Sequence, residues 1–219
     1  MQIFLDSASL DEIRLAEAWG WIDGVTTNPT LVAATGKNYD ELLREIISAT
    51  KGLVSAEVIA TDKNGMLAQA RFLSQLGKQV VVKLPCTTEG LAATRVLSQE
   101  KIKTNVTLIF SLSQGLLAAK AGATYCSPFV GRLEDQAPQQ GEELLSHLRT
   151  VYDDYHFQTK IIAASMRHLA HFESAVGIGV DAVTAPLHIL EKLSKHHLTD
   201  LGLQKFLDDW HRANQKFPI

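Results

Sequence analysis

A single-domain (β/α)8 barrel spanning residues 1–219, with an extra C-terminal helix, is the architecture this sequence predicts, and three observations carry the prediction. Short apolar or β-branched runs alternate with helical stripes, eight of each. The length of 219 residues is usual for such a barrel, and no composition break marks a linker. Polar side chains stand at nearly every strand's carboxyl end, where barrels of this class build their sites.

The elements follow in order. Ile3-Phe4-Leu5-Asp6 reads as a first strand ending on a carboxylate, and Ser9 with Glu12 three residues later is a capping-box start for a helix. GVTTNP, residues 24–29, is a second short strand that Pro29 closes. Residues 39–51 then place Leu42, Leu43, Ile46 and Ile47 on one helical face. Residues 54–59 form the third strand and 61–76 its helix; 80–84 form the fourth, followed by a helix over 88–99. The fifth strand lies within 103–109, after which Ser111 and Gln114 open an alanine-rich helix ending near Gly122. The sixth lies within 123–129. Residues 131–141 are the most polar connection and are expected to be mobile, whereas Leu144, Leu145, Leu148, Val151, Tyr152 and Tyr155 form the next helical stripe. Residues 160–164 are the seventh strand, 168–176 a helix and 181–184 the eighth strand. Finally, residues 199–213 carry Leu203, Phe206, Leu207 and Trp210 on one face, more apolar surface than a free tail shows, so this helix is expected to pack on a neighbouring subunit.

Composition narrows the function classes. A hydrophobic fraction of 46% and a net charge of −3 describe an ordinary globular protein. Lysines and arginines are dispersed without interleaved aromatics, which argues against a nucleic-acid surface. No apolar run approaches the roughly 20 residues of a membrane span, and MQIFLDSAS lacks the pattern of a secretion signal, so the expected location is the cytoplasm. Cys86 and Cys126 belong to no metal-binding pattern. His168 and His171 have helical spacing but no third ligand nearby; neither a metal nor a cofactor is expected.

The fourth strand, within QVVVKLPCTT at 79–88, holds the most telling residue. Three valines favour a buried strand, so Lys83, two residues before Pro85, sits where the strand leaves the core. Desolvation there disfavours the ammonium form, lowers the pKa from about 10.4 and leaves an amine able to attack a carbonyl. On this stretch alone, Lys83 can instead merely mark a strand end and reach water. The other strand ends weigh against that alternative. Asp6, Thr26 with Asn28, Ser55 with Glu57, Asn105 with Thr107, Ser127 with Phe129, and Ser165 with Arg167 have the spacing to face one mouth, and a buried polar group left unpaired costs about 1–3 kcal/mol. Taken singly, Asp6 can be read as a helix cap, Asn28 as a turn residue, and Arg132 and Arg167 as exposed cations; on late barrel loops, paired arginines also suit a phosphate.

The segments GVTTNPT (24–30), SAEV (55–58), VVKLPCTTEGL (81–91), KTNVTLIFS (103–111), AGATYCSPFVGRLED (121–135) and AASMRH (163–168) together resemble the small transaldolases of the transaldolase/fructose-6-phosphate aldolase-like family, over essentially the whole chain. This resemblance implies metal-free class I aldol chemistry: a ketose phosphate forms a Schiff base with Lys83, and its dihydroxyacetone unit passes to an aldose phosphate. It implies that Asp6 removes the proton from the substrate hydroxyl as the carbon bond breaks. It further implies that Glu57 and Thr107 orient a catalytic water, that Asn28, Asn105 and Ser127 hold the dihydroxyacetone hydroxyls, and that Arg132, Ser165 and Arg167 hold phosphate. Glu57 and Phe129 match the transaldolases, whereas the family's fructose-6-phosphate aldolases carry Gln and Tyr there. Ring-based homo-oligomers, decamers among them, are implied too. Thr30 and Cys86 depart from the small residues common at their positions, and neither supplies a role. Competing expectations are a fructose-6-phosphate aldolase releasing free dihydroxyacetone, and a phosphosugar-binding barrel or isomerase that uses Lys83 only as a charge.

Overall fold

Eight parallel strands hydrogen-bond in sequence order, and the eighth returns to the first to close a barrel. The computed structural model describes residues 1–213 and 217. The elements run β1 (Gln2–Asp6), α1 (Leu10–Trp19), β2 (Gly24–Thr26), α2 (Pro29–Ala34), α3 (Tyr39–Ala49), β3 (Leu53–Glu57), α4 (Lys63–Gln75), β4 (Val80–Pro85), α5 (Thr88–Gln99) and β5 (Thr104–Ile109). They continue with α6 (Leu112–Lys120), β6 (Tyr125–Pro128), α7 (Val130–Glu134), α8 (Gln140–Asp154), β7 (Lys160–Ala163), α9 (Leu169–Ile178), β8 (Ala182–Ala185), α10 (Leu187–Leu190) and α11 (His197–Arg212). The architecture is the (β/α)8 barrel plus C-terminal helix that the alternation predicts. Among the described residues no helix is long and apolar enough to cross a membrane.

Alternation along the strands builds the interior in tiers. Phe4, Val81, Tyr125, Ile162 and Ala182, with Leu53 against them, form an apolar floor, the rings of Phe4 and Tyr125 meeting edge-to-face at 6.4 Å. Two residues along five of the strands the chemistry changes from apolar to polar: Phe4 gives way to Asp6, Leu53 to Ser55, Val81 to Lys83, Tyr125 to Ser127 and Ala182 to Thr184, whereas on β7 Ile162 is followed by Ala164. Residues of opposite phase, including Leu5, Val25, Val54, Val106, Cys126, Ile161 and Val183, point outward and pack with the helices. Each buried Val or Leu contributes about 1.5–3 kcal/mol. The barrel is therefore held by its outer layer, and its inner mouth can be polar.

Several boundaries differ from expectation for identifiable reasons. The strand expected over 24–29 stops at Thr26, because Asn28 caps a short helix with Pro29 at its first position; the Asn28 carboxamide oxygen accepts from Leu31 N–H at 2.9 Å. Within the polar stretch 131–141 the chain forms α7, whose Val130 and Gly131 are buried. Tyr155, expected on the α8 stripe, is 71% exposed because α8 ends at Asp154 and His156 turns at φ 55°. Helix α11 forms slightly earlier than expected and, within one chain, buries none of its residues; Leu201, Leu203, Phe206, Leu207 and Trp210 all face outward.

Candidate active site

A cavity of about 110 Å³ opens at the carboxyl ends of the strands, lined by Asp6, Thr26, Asn28, Lys83, Asn105, Ser127, Phe129, Arg132, Ala164, Ser165 and Thr184. Strand register sets these groups in two rows, two residues apart on β3: Asp6, Thr26 and Ser55 pair across β1, β2 and β3, and Glu57, Lys83 and Asn105 across β3, β4 and β5. Larger depressions lie between outer helices, the largest bordered by α1, α2 and α3, and hold no comparable convergence of strand-end groups.

Lys83 is 6% exposed. Its Nζ lies 2.9 Å from Glu57 Oε2 and donates to the Thr27 carbonyl at 3.1 Å. An ion pair this enclosed is a poor device for stability, since each ion loses hydration worth several kcal/mol. What the pair achieves chemically is clearer: it holds the amine at one point, with a carboxylate within proton-transfer reach. The main chain beneath Glu57 is fixed by the Tyr39 hydroxyl, which donates to the Glu57 carbonyl at 2.6 Å. Burial, reinforced by the Glu57 charge, pushes Tyr39 up to about 12, so it stays a donor at neutral pH.

Asp6 stands above the ordinary carboxylate range. Burial is the main cause; the Lys83 charge and a hydrogen bond from Thr26 act in the opposite direction. Thr26 Oγ1 donates to Asp6 Oδ1 at 2.7 Å and lies 2.6 Å from Thr184 Oγ1. A hydroxyl has one proton to give, so with Thr26 committed to Asp6, Thr184 must be the donor to Thr26. The three strands β8, β2 and β1 thus form a directed chain ending on a carboxylate.

On the other side, Ser127 Oγ donates to Asn105 Oδ1 at 2.7 Å, and Asn105 Nδ2 donates to Ser55 Oγ at 3.2 Å. This fixes the amide orientation of Asn105. Phe129 meets Phe110 edge-on at 5.6 Å, and the Arg132 guanidinium lies 5.0 Å over the Phe129 ring. Burial pushes Cys86 up to about 11, which leaves it a thiol at neutral pH and a weak competitor to the amine as nucleophile.

Eight of the eleven residues singled out from sequence line the cavity: Asp6, Asn28, Lys83, Asn105, Ser127, Phe129, Arg132 and Ser165. Glu57 joins them through Lys83. Thr107 does not line it; its hydroxyl is buried with no hydrogen-bond partner among the described residues, and it lies within the register shift of β5, next to Leu108 at φ 59°. Arg167 is also outside the lining and is held by Asp135, Nη2 to Oδ2 2.7 Å. Ser165 arrives by a route that alternation does not foresee. Ala164 and Ser165 both reach the cavity although they are neighbours, because Ser165 is left-handed at φ 61°. Thr184 was missed; the signal was present, since it is the hydroxyl two residues beyond Ala182 on β8. Thr26 had been placed at a strand end but given no role. Among the described residues, no group of three or more His, Cys, Asp or Glu side chains is arranged to hold a metal ion.

A profile of the family described as Transaldolase/Fructose-6-phosphate aldolase matches residues 3–217. Among curated relatives, a protein of Anaeromyxobacter sp. (strain Fw109-5) is 52% identical over 216 residues, 99% of this chain and 100% of its own. One of Coprothermobacter proteolyticus is 53% identical over 213 residues, 97% of this chain and 98% of its own, and one of Aquifex aeolicus is 49% identical over 216, 99% of each. All three are named probable transaldolase.

Proposed function

Because the chain belongs to the transaldolase/fructose-6-phosphate aldolase family, we propose that it transfers a dihydroxyacetone unit between sugar phosphates through a Schiff base on Lys83. The substrates are the pairs sedoheptulose 7-phosphate with glyceraldehyde 3-phosphate and fructose 6-phosphate with erythrose 4-phosphate. The observation that carries this reading is the enclosed Lys83 amine, 2.9 Å from Glu57, in a cavity it shares with the buried carboxyl of Asp6.

In this mechanism Lys83 gives up a proton to Glu57 and attacks the ketose C2 carbonyl; Glu57 returns that proton and the nitrogen supplies a second, so the oxygen leaves as water and a protonated imine remains. Glu57 orients that water, and the family resemblance gives Thr107 a share in this; its hydroxyl stands outside the cavity lining, with no hydrogen-bond partner among the described residues to compete for it. Asp6 then takes the proton of the C4 hydroxyl while the C3–C4 bond breaks and its electrons move into the imine, leaving an enamine and a free aldose phosphate. Asn28, Asn105 and Ser127 hold the hydroxyls of the retained fragment. Arg132, Ser165 and Arg167 receive phosphate. Reversal with a second aldose, and hydrolysis, completes transfer. Phe129 favours transfer over release, because it brings no hydroxyl that would position a proton near the enamine carbon. The enzyme is expected in the cytoplasm as a homo-oligomer, decameric in the family's manner, with α11 packed on a neighbouring barrel.

Borohydride reduction in the presence of fructose 6-phosphate tests the imine. A stable dihydroxyacetone-derived mass increase on the peptide containing Lys83 is expected. Its absence, with turnover intact, leaves a non-covalent phosphosugar barrel as the surviving explanation.

A further inference from the structure

Arg132 and Arg167 come from different segments, Arg132 from the short helix α7 and Arg167 from the connection between β7 and α9. Helix α7 is a five-residue segment without a side-chain cap, and Arg167 lies four residues beyond the end of β7, after the left-handed Ser165. At their amino-terminal side the loops are joined by main chain: Gly131 N–H donates to the Ser165 carbonyl at 3.1 Å. A Cβ on Gly131 would lie 2.2 Å from that oxygen and 2.5 Å from Arg167 Cγ, so this approach requires glycine.

Further along, one side chain completes the join. His171, on α9, is 2% exposed. Its Nδ1 accepts from the Arg167 main-chain N–H at 3.3 Å, and its Nε2 lies 3.2 Å from Glu134 Oε2 on α7. Nδ1 can accept only if it carries no proton. The proton therefore sits on Nε2, which donates to the Glu134 carboxylate. The His168 ring lies against that of His171 with centroids 3.6 Å apart. One imidazole thus grips the backbone of one arginine and, through Glu134, the short helix that carries the other.

We propose that His171 is a positioning residue that sets the spacing of Arg132 and Arg167, so that both arginines meet one phosphate. This rests on the reading of the two arginines as the phosphate site. His171 touches neither the substrate nor Lys83; its effect is on phosphate binding and not on imine chemistry.

The test compares His171→Asn, Glu134→Ala and Glu134→Gln with wild type. Asparagine preserves an acceptor near Nδ1 but no longer reaches Glu134; Glu134→Ala removes the link from the other end; Glu134→Gln keeps an acceptor for Nε2–H. Two quantities are read: KM and kcat for fructose 6-phosphate with erythrose 4-phosphate, and borohydride trapping of unphosphorylated dihydroxyacetone on Lys83. The expected result is a KM raised about tenfold in His171→Asn and Glu134→Ala, the loss of one hydrogen bond to a charged group. Near-normal kcat, unchanged trapping, and recovery in Glu134→Gln complete the pattern. Unchanged KM in Glu134→Ala, or trapping that falls in step with phosphate-dependent turnover, overturns the proposal. Should His171→Asn fail to fold, Glu134→Ala with its Gln counterpart decides alone. Arg132→Ala is the reference arm: if it leaves KM unchanged, the phosphate-site reading fails; if it raises KM while the Glu134 and His171 variants do not, the positioning role alone fails.

Discussion

Replacing Thr26 by valine tests the directed chain of hydroxyls with little change in side-chain shape. Thr26 donates to Asp6 at 2.7 Å inside the barrel mouth, and it is one of two influences, with the Lys83 charge, that restrain the upward pull of burial on Asp6. A hydrogen bond to a charged group contributes about 1.5–3 kcal/mol. At about 1.4 kcal/mol per tenfold, its removal raises the Asp6 pKa further and lowers kcat/KM on the acid limb by roughly 10- to 100-fold. In the proposed mechanism Asp6 acts as the base of the cleavage step, so the acid limb of the rate profile must move to higher pH. The assay is kcat/KM for fructose 6-phosphate with erythrose 4-phosphate as acceptor, measured across pH in variant and wild type. Substrate phosphates titrate near pH 6 as well, but they are common to both enzymes, so the ratio of the two profiles isolates the protein. Thr184→Val, which leaves the Thr26 donation in place, should produce a smaller shift in the same direction. An acid limb that stays in place, or moves to lower pH, refutes the assignment of Asp6 as the base.

Lys83→Ala should abolish turnover with the circular dichroism spectrum retained, and Lys83→Arg should fail equally because a guanidinium stays protonated at any working pH; substantial activity in either would end the imine mechanism. Asp6→Asn should be inactive yet more stable at neutral pH. The folded-state pKa of Asp6 is raised, so the stability tied to its protonated form is present below the unfolded value and is lost as pH rises through the folded one. Above that window the buried anion is a cost that asparagine removes while still accepting from Thr26. A gain of about 1 kcal/mol, or about 2–4 °C in Tm, is expected, and an unchanged or lower Tm at pH 7–8 contradicts it. Phe129→Tyr should increase acceptor-independent release of dihydroxyacetone from fructose 6-phosphate relative to transfer, and Glu57→Gln should push further; if wild type already releases as fast as it transfers, the protein is a free aldolase. Truncation after Ser194 removes α11 and should shift the sedimentation profile to smaller species, an unchanged profile being the contrary outcome.

The barrel was legible because alternating strands and helices leave two distinct periodicities in the sequence, and the candidate site because inward positions two apart switch from apolar to polar at most strand ends. Helices α2, α7 and α10 left no such trace. A helix of four to six residues has too few turns to show a stripe and is held by its surroundings more than by its own propensity. Thr26 and Thr184 escaped a role for another reason: threonine is an ordinary strand residue, and only the closed barrel shows that β1, β2 and β8 are neighbours. Ser165 and Thr107 show where period-two reasoning stops. A left-handed residue brings the first into the cavity, and the register shift in β5 coincides with the second lying outside the lining.

The apolar floor under the site carries a kinetic consequence. With Phe4, Val81, Tyr125 and Ile162 closing the barrel below the polar tier, the cavity is a well with a single entrance. Donor and acceptor cannot occupy it from opposite ends. Under the transfer reading, the first aldose phosphate must leave by the mouth through which the second arrives, and the three-carbon fragment waits on Lys83 between the two events. Steady-state kinetics should then show parallel double-reciprocal lines, each substrate taking its turn at a site with one door.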